Sequence, residues 1–176
     1  FGLSKSAEET FEFWDKNYTI KRMIRMVRAY KPDIIIPTFL DVNGQHGHHR
    51  SVTRATIEAY DKSNDPEMFP DDNFGPWKIS QIFLPAWSGG GGSYDDEEDP
   101  PKATHSIDVG NFNHIYGGTY NQIGEWSRSY HATQNIGKLA YEDKMDVPLH
   151  LLKGTYVDGD ITCLLYTSDA ADDRDS

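Results

Sequence analysis

The residues best equipped for chemistry in this chain are crowded into Gln45-His46-Gly47-His48-His49-Arg50. Three of the seven histidines lie within four positions, directly after the apolar run Ile34-Ile35-Ile36. Imidazole is a common metal ligand and the usual acid or base near neutral pH. Placed at the exit of a buried strand, such a cluster points to a catalytic metal site more than to packing. His46 and His49 are spaced i, i+3 and share one face if a helix begins near His46. Two histidines are too few for a catalytic zinc, which takes three protein ligands and keeps one position for water. Other ligands must come from elsewhere; Asp41 is nearby, but nothing marks it as one. The plainer reading is a solvent-exposed loop. A second constellation is Arg128, His131 and Gln134, at i, i+3, i+6, where one helical face would carry a cation, an imidazole and an amide. A core-facing stripe would not choose those types, although an ordinary exposed polar face would.

The surrounding pattern supplies elements to hold these groups. Ser6 and Glu9 fit a capping box that opens a helix. Phe11, Trp14 and Tyr18, then Ile20, Met23, Ile24 and Val27, form a helical stripe with a break expected near Asn17. Lys31-Pro32 ends it. A strand is expected over Asp33 to Thr38, a loop over Phe39 to Gly47, and a helix from about His49 to Lys62, with Val52, Ala55, Thr56, Ala59 and Tyr60 on one face. Asn64 to Trp77 reads as a connecting loop. Lys78 to Leu84 and Thr104 to Val109 read as strands, Thr119 to Leu139 as a helix, and Leu149 to Lys153 as an edge strand. Helix and strand joined by short connections make an α/β protein. The order favours a Rossmann-like layered sheet with flanking helices, of which this chain would be an incomplete part. In such sheets ligand sites lie at the carboxyl ends of strands, where the histidine loop falls.

The chain has 176 residues and a formal net charge of −11, with 37% hydrophobic residues. That suits one globular domain. The charge argues against nucleic acid as a partner, since no basic stripe is present to release counterions. No apolar run approaches the length of a transmembrane helix. The acidic run Asp95 to Asp99 reads as a solvated loop, with calcium binding as the alternative. Gly89 to Gly92 is not a phosphate loop, because no Lys-Ser/Thr follows it. The stretch from Cys163 to Asp173 resembles a translated sequencing adapter. Residues 163–176 are therefore expected to be a non-native tail, leaving 1–162 as the domain. The single cysteine lies in that tail and says nothing about redox compartment.

Three ordered motifs carry a family resemblance: Lys31-Pro32-Asp33-Ile34-Ile35-Ile36, His46-Gly47-His48-His49-Arg50, and Ser129-Tyr130-His131-Ala132-Thr133-Gln134. Together they resemble the PIG-L/LmbE-like N-acetylglucosaminyl deacetylases. The likeness runs over about residues 2 to 155 and includes Gly2 to Thr10, Asn64 to Pro70 and Asp108 to Asn113. It implies a zinc-dependent hydrolase that removes acetyl from an N-acetylated sugar or glycoconjugate, with zinc activating water and polarising the amide carbonyl. The family's His-Pro-Asp-His motif implies that His49 is a zinc ligand. His46 would stabilise the oxyanion or protonate the leaving amine. Gly47 stands where the family has proline, and His48 where it has the aspartate thought to orient the first histidine. His131 and Gln134, with Arg128, would belong to the substrate surroundings. The family's Ala-His-Pro-Asp-Asp motif, which supplies two ligands and the general base, is absent, so the polypeptide is expected to be a fragment, itself inactive. A non-catalytic carbohydrate-binding or structural domain of the same fold is the first alternative. A hydrolase of small N-acyl amides is the second. The branch it most resembles includes large exported proteins, which would place it outside the cytoplasm; sequence leaves oligomeric state open.

Overall fold

The computed structural model describes residues 2–37, 39–69, 73–87, 98–131, 133 and 145–155. Gln134, the glycine run 89–92 and the tail 163–176 lie outside them. The protein is a mixed α/β structure, as the element pattern implies. It divides into two compact units, Phe1–Thr104 with Leu149–Asp158, and His105–Pro148 with Gly159–Ser176.

The first unit opens with α1 (Ala7–Trp14). Ser6 caps it by accepting the Glu9 N–H at 3.1 Å, while the Glu9 carboxylate accepts from the Lys5 N–H at 2.8 Å. The break expected near Asn17 falls at Asp15, which has a positive φ of 58°. Its carboxylate accepts the Tyr18 N–H and so starts α2 (Lys16–Tyr30). One residue thus ends one helix and caps the next. Lys31, in the left-handed conformation, closes α2 just before Pro32. Ile20, Ile24 and Val27 of α2 pack on Ala55 and Ala59 of α3 (Gly47–Lys62) and on Ile79, with Ile35 against the same cluster. The two alanines let the helices approach closely. Arg28 of α2, 2% exposed, donates to the carbonyls of Ser63, Asp65 and Met68 and so pins the turn after α3.

Strand β1 is only Ile34–Ile35, shorter than the expected 33–38. Pro37 has no N–H to offer a ladder, which limits the strand on its C-terminal side. β1 pairs in parallel with β2 (Gln81–Pro85), Ile34 opposite Gln81. β2 pairs antiparallel with β6 (Asp146–Gly154), with a register shift between Ile82 and Phe83. β6 is longer than expected and is not an edge, since β2 and β3 are its two neighbours.

In the second unit, β3 (His105–Asp108) runs beside the opening residues of β6. A hairpin follows, β4 (Phe112–Asn113) and β5 (Gly118–Thr119). Asn113 Oδ1 accepts the N–H groups of Ile115 and Tyr116, shaping the turn. Thr119 and Gln122 form a reciprocal capping box that opens α4 (Tyr120–Ser129). Among the described residues no helix is long and apolar enough to cross a membrane.

Candidate functional site

The histidine cluster straddles the start of α3. His46 is the N-cap: its Nδ1 accepts the His48 backbone N–H at 3.1 Å. The helix begins at Gly47, two residues earlier than the pattern indicated. Gly47 donates its N–H to the Ser4 carbonyl at 2.9 Å. A Cβ at this position would stand 2.2 Å from the Ser6 carbonyl oxygen and 2.3 Å from Ser4 Oγ. Proline, with no N–H and a full ring, could not occupy that seat. The glycine therefore has a local cause: α1 lies directly against the first turn of α3. Ser51 Oγ reinforces the contact, bonding the carbonyls of Gly47 and Ala7.

His48 is the second residue of α3. Its ring stacks on Trp14 of α1 at 4.8 Å and tilts against His46 at 4.4 Å. The His48 main-chain N–H holds the His46 ring through Nδ1. With Nδ1 accepting an N–H, neutral His46 carries its proton on Nε2.

His49 is held the opposite way. Its Nδ1 lies 3.1 Å from Oε1 of Gln45, and its ring stacks on Phe39 at 3.9 Å with 4° between the planes. An amide oxygen accepts, so Nδ1 donates and Nε2 keeps its lone pair. Burial pushes the His49 imidazole below its ordinary value, and nearby His46 and His48 act in the same direction. Burial also lowers His48, with His46 next in effect. A neutral ring is the form a metal needs.

Phe39, His48, His49, Val52 and Thr53 line a half-open cleft of about 170 Å³. His46 is not among its walls; its ring centre lies 5.6 Å from that of His49. Thr53 Oγ1 donates to the Phe39 carbonyl at 2.7 Å and fixes that aromatic wall. Asp41, the nearby carboxylate, is committed elsewhere. It bonds Arg50 Nε at 2.8 Å and also Arg54, which reaches on to Glu8. This clamp ties the loop before the histidines to α3 and α1. Asp41, Gln45, Phe39 and Trp14 all support the cluster, and no local spacing marked them. The one available cue was the close repetition of Arg50 and Arg54 after an acidic loop residue.

Arg128 and His131 belong to the second unit. The helix expected to run to Leu139 stops at Ser129, with Tyr130 as its C-cap. Ser129 Oγ turns back to the Trp126 carbonyl, a local bond that competes with continued helix. His131 therefore lies beyond the helix, and the face shared with Arg128 does not form. Arg128 reaches Glu125 at 3.5 Å, and His131 is exposed. Gln134 lies outside the described residues.

Among the described residues the donors present do not complete a zinc site. His49 offers a neutral ring with Nε2 available, but no group of three His, Cys, Asp or Glu among the described residues is placed to hold a metal ion.

Fold and site together define a mixed α/β protein with a histidine-capped helix beside a small cleft. No protein-family model matches the chain. A particular relative is 1D-myo-inositol 2-acetamido-2-deoxy-alpha-D-glucopyranoside deacetylase 1 of Frankia alni, to which the chain is 28% identical over 89 residues. The aligned part is 48% of this chain and 30% of that protein, so the chain spans under a third of the relative's length. Over that part it is similar to a deacetylase named for an acetamido sugar.

Proposed function

We propose that this chain carries the His46 and His49 part of a zinc-dependent N-deacetylase site acting on an N-acetylated sugar conjugate. One observation carries the reading. Two imidazoles 5.6 Å apart are preset in complementary forms. His46, capped through Nδ1, presents an N–H donor, and His49, donating through Nδ1, presents a lone pair. Amide hydrolysis calls for that pairing. A donor stabilises the oxyanion of the tetrahedral intermediate, and a neutral imidazole ligand helps to hold the metal. Zinc, when bound, would activate water and polarise the amide carbonyl. His49 would be one of its ligands, the others coming from residues outside those described. The likeness to the Frankia alni deacetylase supports the reaction class and the sugar.

The finer assignment of His46 follows from its cap. With Nδ1 occupied, neutral His46 gives a hydrogen bond through Nε2 and keeps its proton, so its role is oxyanion stabilisation rather than protonation of the amine.

The test is release of free amine from N-acetylglucosamine conjugates, with added zinc, by the natural protein that contains this segment. Turnover should fall to background in His49→Ala. The 176-residue chain alone should release none, because no group of three metal-binding side chains forms around His49 among the described residues. Turnover by that chain would overturn this assignment of roles. The same absence favours a second reading, a non-catalytic sugar-binding domain, which predicts sugar binding with no amine release from the natural protein.

A further inference from the structure

We infer that Gln45 is a positioning residue for His49, selecting the tautomer that leaves Nε2 open; the inference rests on the metal-ligand reading of His49 given above. Gln45 is 3% exposed, buried at the end of a loop that is itself clamped. Its N–H donates to the Val42 carbonyl at 3.3 Å, and Asp41 anchors the same loop to Arg50 and Arg54 of α3. The amide therefore reaches His49 from a fixed backbone. Phe39 covers one face of the imidazole while Gln45 Oε1 holds its Nδ1 edge. These two contacts leave the ring little freedom to turn, and they occupy Nδ1.

Which atom Gln45 presents decides the chemistry. With oxygen toward His49, the imidazole is a donor at Nδ1 and an acceptor at Nε2. With the amide turned over, an NH₂ would donate into Nδ1, the proton would move to Nε2, and the ring could no longer bind a metal through that atom. Outer-sphere acceptors of this kind fix the orientation and basicity of histidine ligands, and their loss costs about 10- to 100-fold in metal affinity.

The experiment is nitrogen NMR of the histidine rings in the full 176-residue chain, labelled with ¹⁵N, at a pH where His49 is neutral. Long-range proton–nitrogen correlations separate the two tautomers directly. The expected result is a protonated Nδ1 and a bare Nε2 on His49. Gln45→Glu should keep that state, because a carboxylate also accepts. Gln45→Leu, verified as folded by its amide spectrum, should move the proton to Nε2. A wild-type His49 with its proton on Nε2 overturns the inference, as does an unchanged tautomer in folded Gln45→Leu. If Gln45→Leu fails to fold, wild type and Gln45→Glu decide the question between them. Zinc ion added alone to the natural protein that contains this segment tests the underlying reading separately. A shift at His49 Nε2, weakened about 10- to 100-fold in Gln45→Leu, supports both. A Gln45-dependent tautomer with no response to zinc sinks the metal assignment and leaves the positioning role standing.

Discussion

At the scale of single residues, His46 has two roles that substitution separates. As N-cap it satisfies one of the orphan N–H groups of α3, a contribution of about 1 kcal/mol. As an N–H donor it would stabilise an oxyanion. Asparagine caps as well as the imidazole but lacks its reach. His46→Ala should therefore lower stability by about 1 kcal/mol in denaturant unfolding, and His46→Asn by almost nothing. Both should lower deacetylation by about 100-fold or more. If His46→Asn restores activity, the residue is only a cap. The cluster also predicts a pH dependence. His48 and His49 both titrate below the ordinary histidine value of 6.5, chiefly through burial. Below 6.5 the unfolded chain binds protons that the folded chain refuses, so stability falls as pH falls from there through the lowered values. Tm should be higher at pH 7.5 than at 5.5, and replacing both rings by glutamine should flatten that slope. Glu8, held below its ordinary 4.5 chiefly by its bond to Arg54, contributes in a separate, more acidic window.

At the scale of elements, α1 acts as the seat of the site. It brings Trp14 against His48 and leaves room beside Ser4, Ser6 and Thr10 for a residue without a side chain. Gly47→Ala should destabilise by about 1–3 kcal/mol, the range for an overpacked core, because the three clashing atoms are a main-chain carbonyl and two buried hydroxyls. Measured unfolding with no such loss would mean that α1 yields readily. The sequence already displayed much of this layer. Ser6 with Glu9 marked the start of α1, Lys31-Pro32 marked the end of α2, and the apolar spacing marked the stripe between. These signals lie within one helical turn of what they specify. The break falls at Asp15 rather than near Asn17, because the positive φ that turns the chain there is decided by tertiary packing and not by local spacing. β1 is shorter than the expected 33–38, and β6 lies between β2 and β3 rather than at an edge, because strand pairing depends on partners far along the chain. The site follows the same rule. The spacing of His46 and His49 announced them, whereas Gln45, Asp41 and the seat of Gly47 work through contacts that no local pattern encodes.

For the molecule as a whole, the charge of −11 bears on which ligands the proposed site would admit. Leaving out residues 163–176 keeps the balance acidic. An excess of negative charge slows the encounter with anions and leaves neutral ligands unaffected. Near the histidines the cations are already committed, Arg50 and Arg54 to Asp41 and Glu8, so the clamp offers no free positive site to offset the wider field. A neutral N-acetyl sugar conjugate should therefore be preferred over its phosphorylated counterpart. The preference should originate in KM and shrink as ionic strength rises, since exposed charges are screened over about 10 Å at 0.1 M salt. The measurement is kcat/KM of the natural protein for a matched neutral and phosphorylated pair across a salt series. A phosphorylated substrate favoured at low salt would place an unneutralised cation at the site.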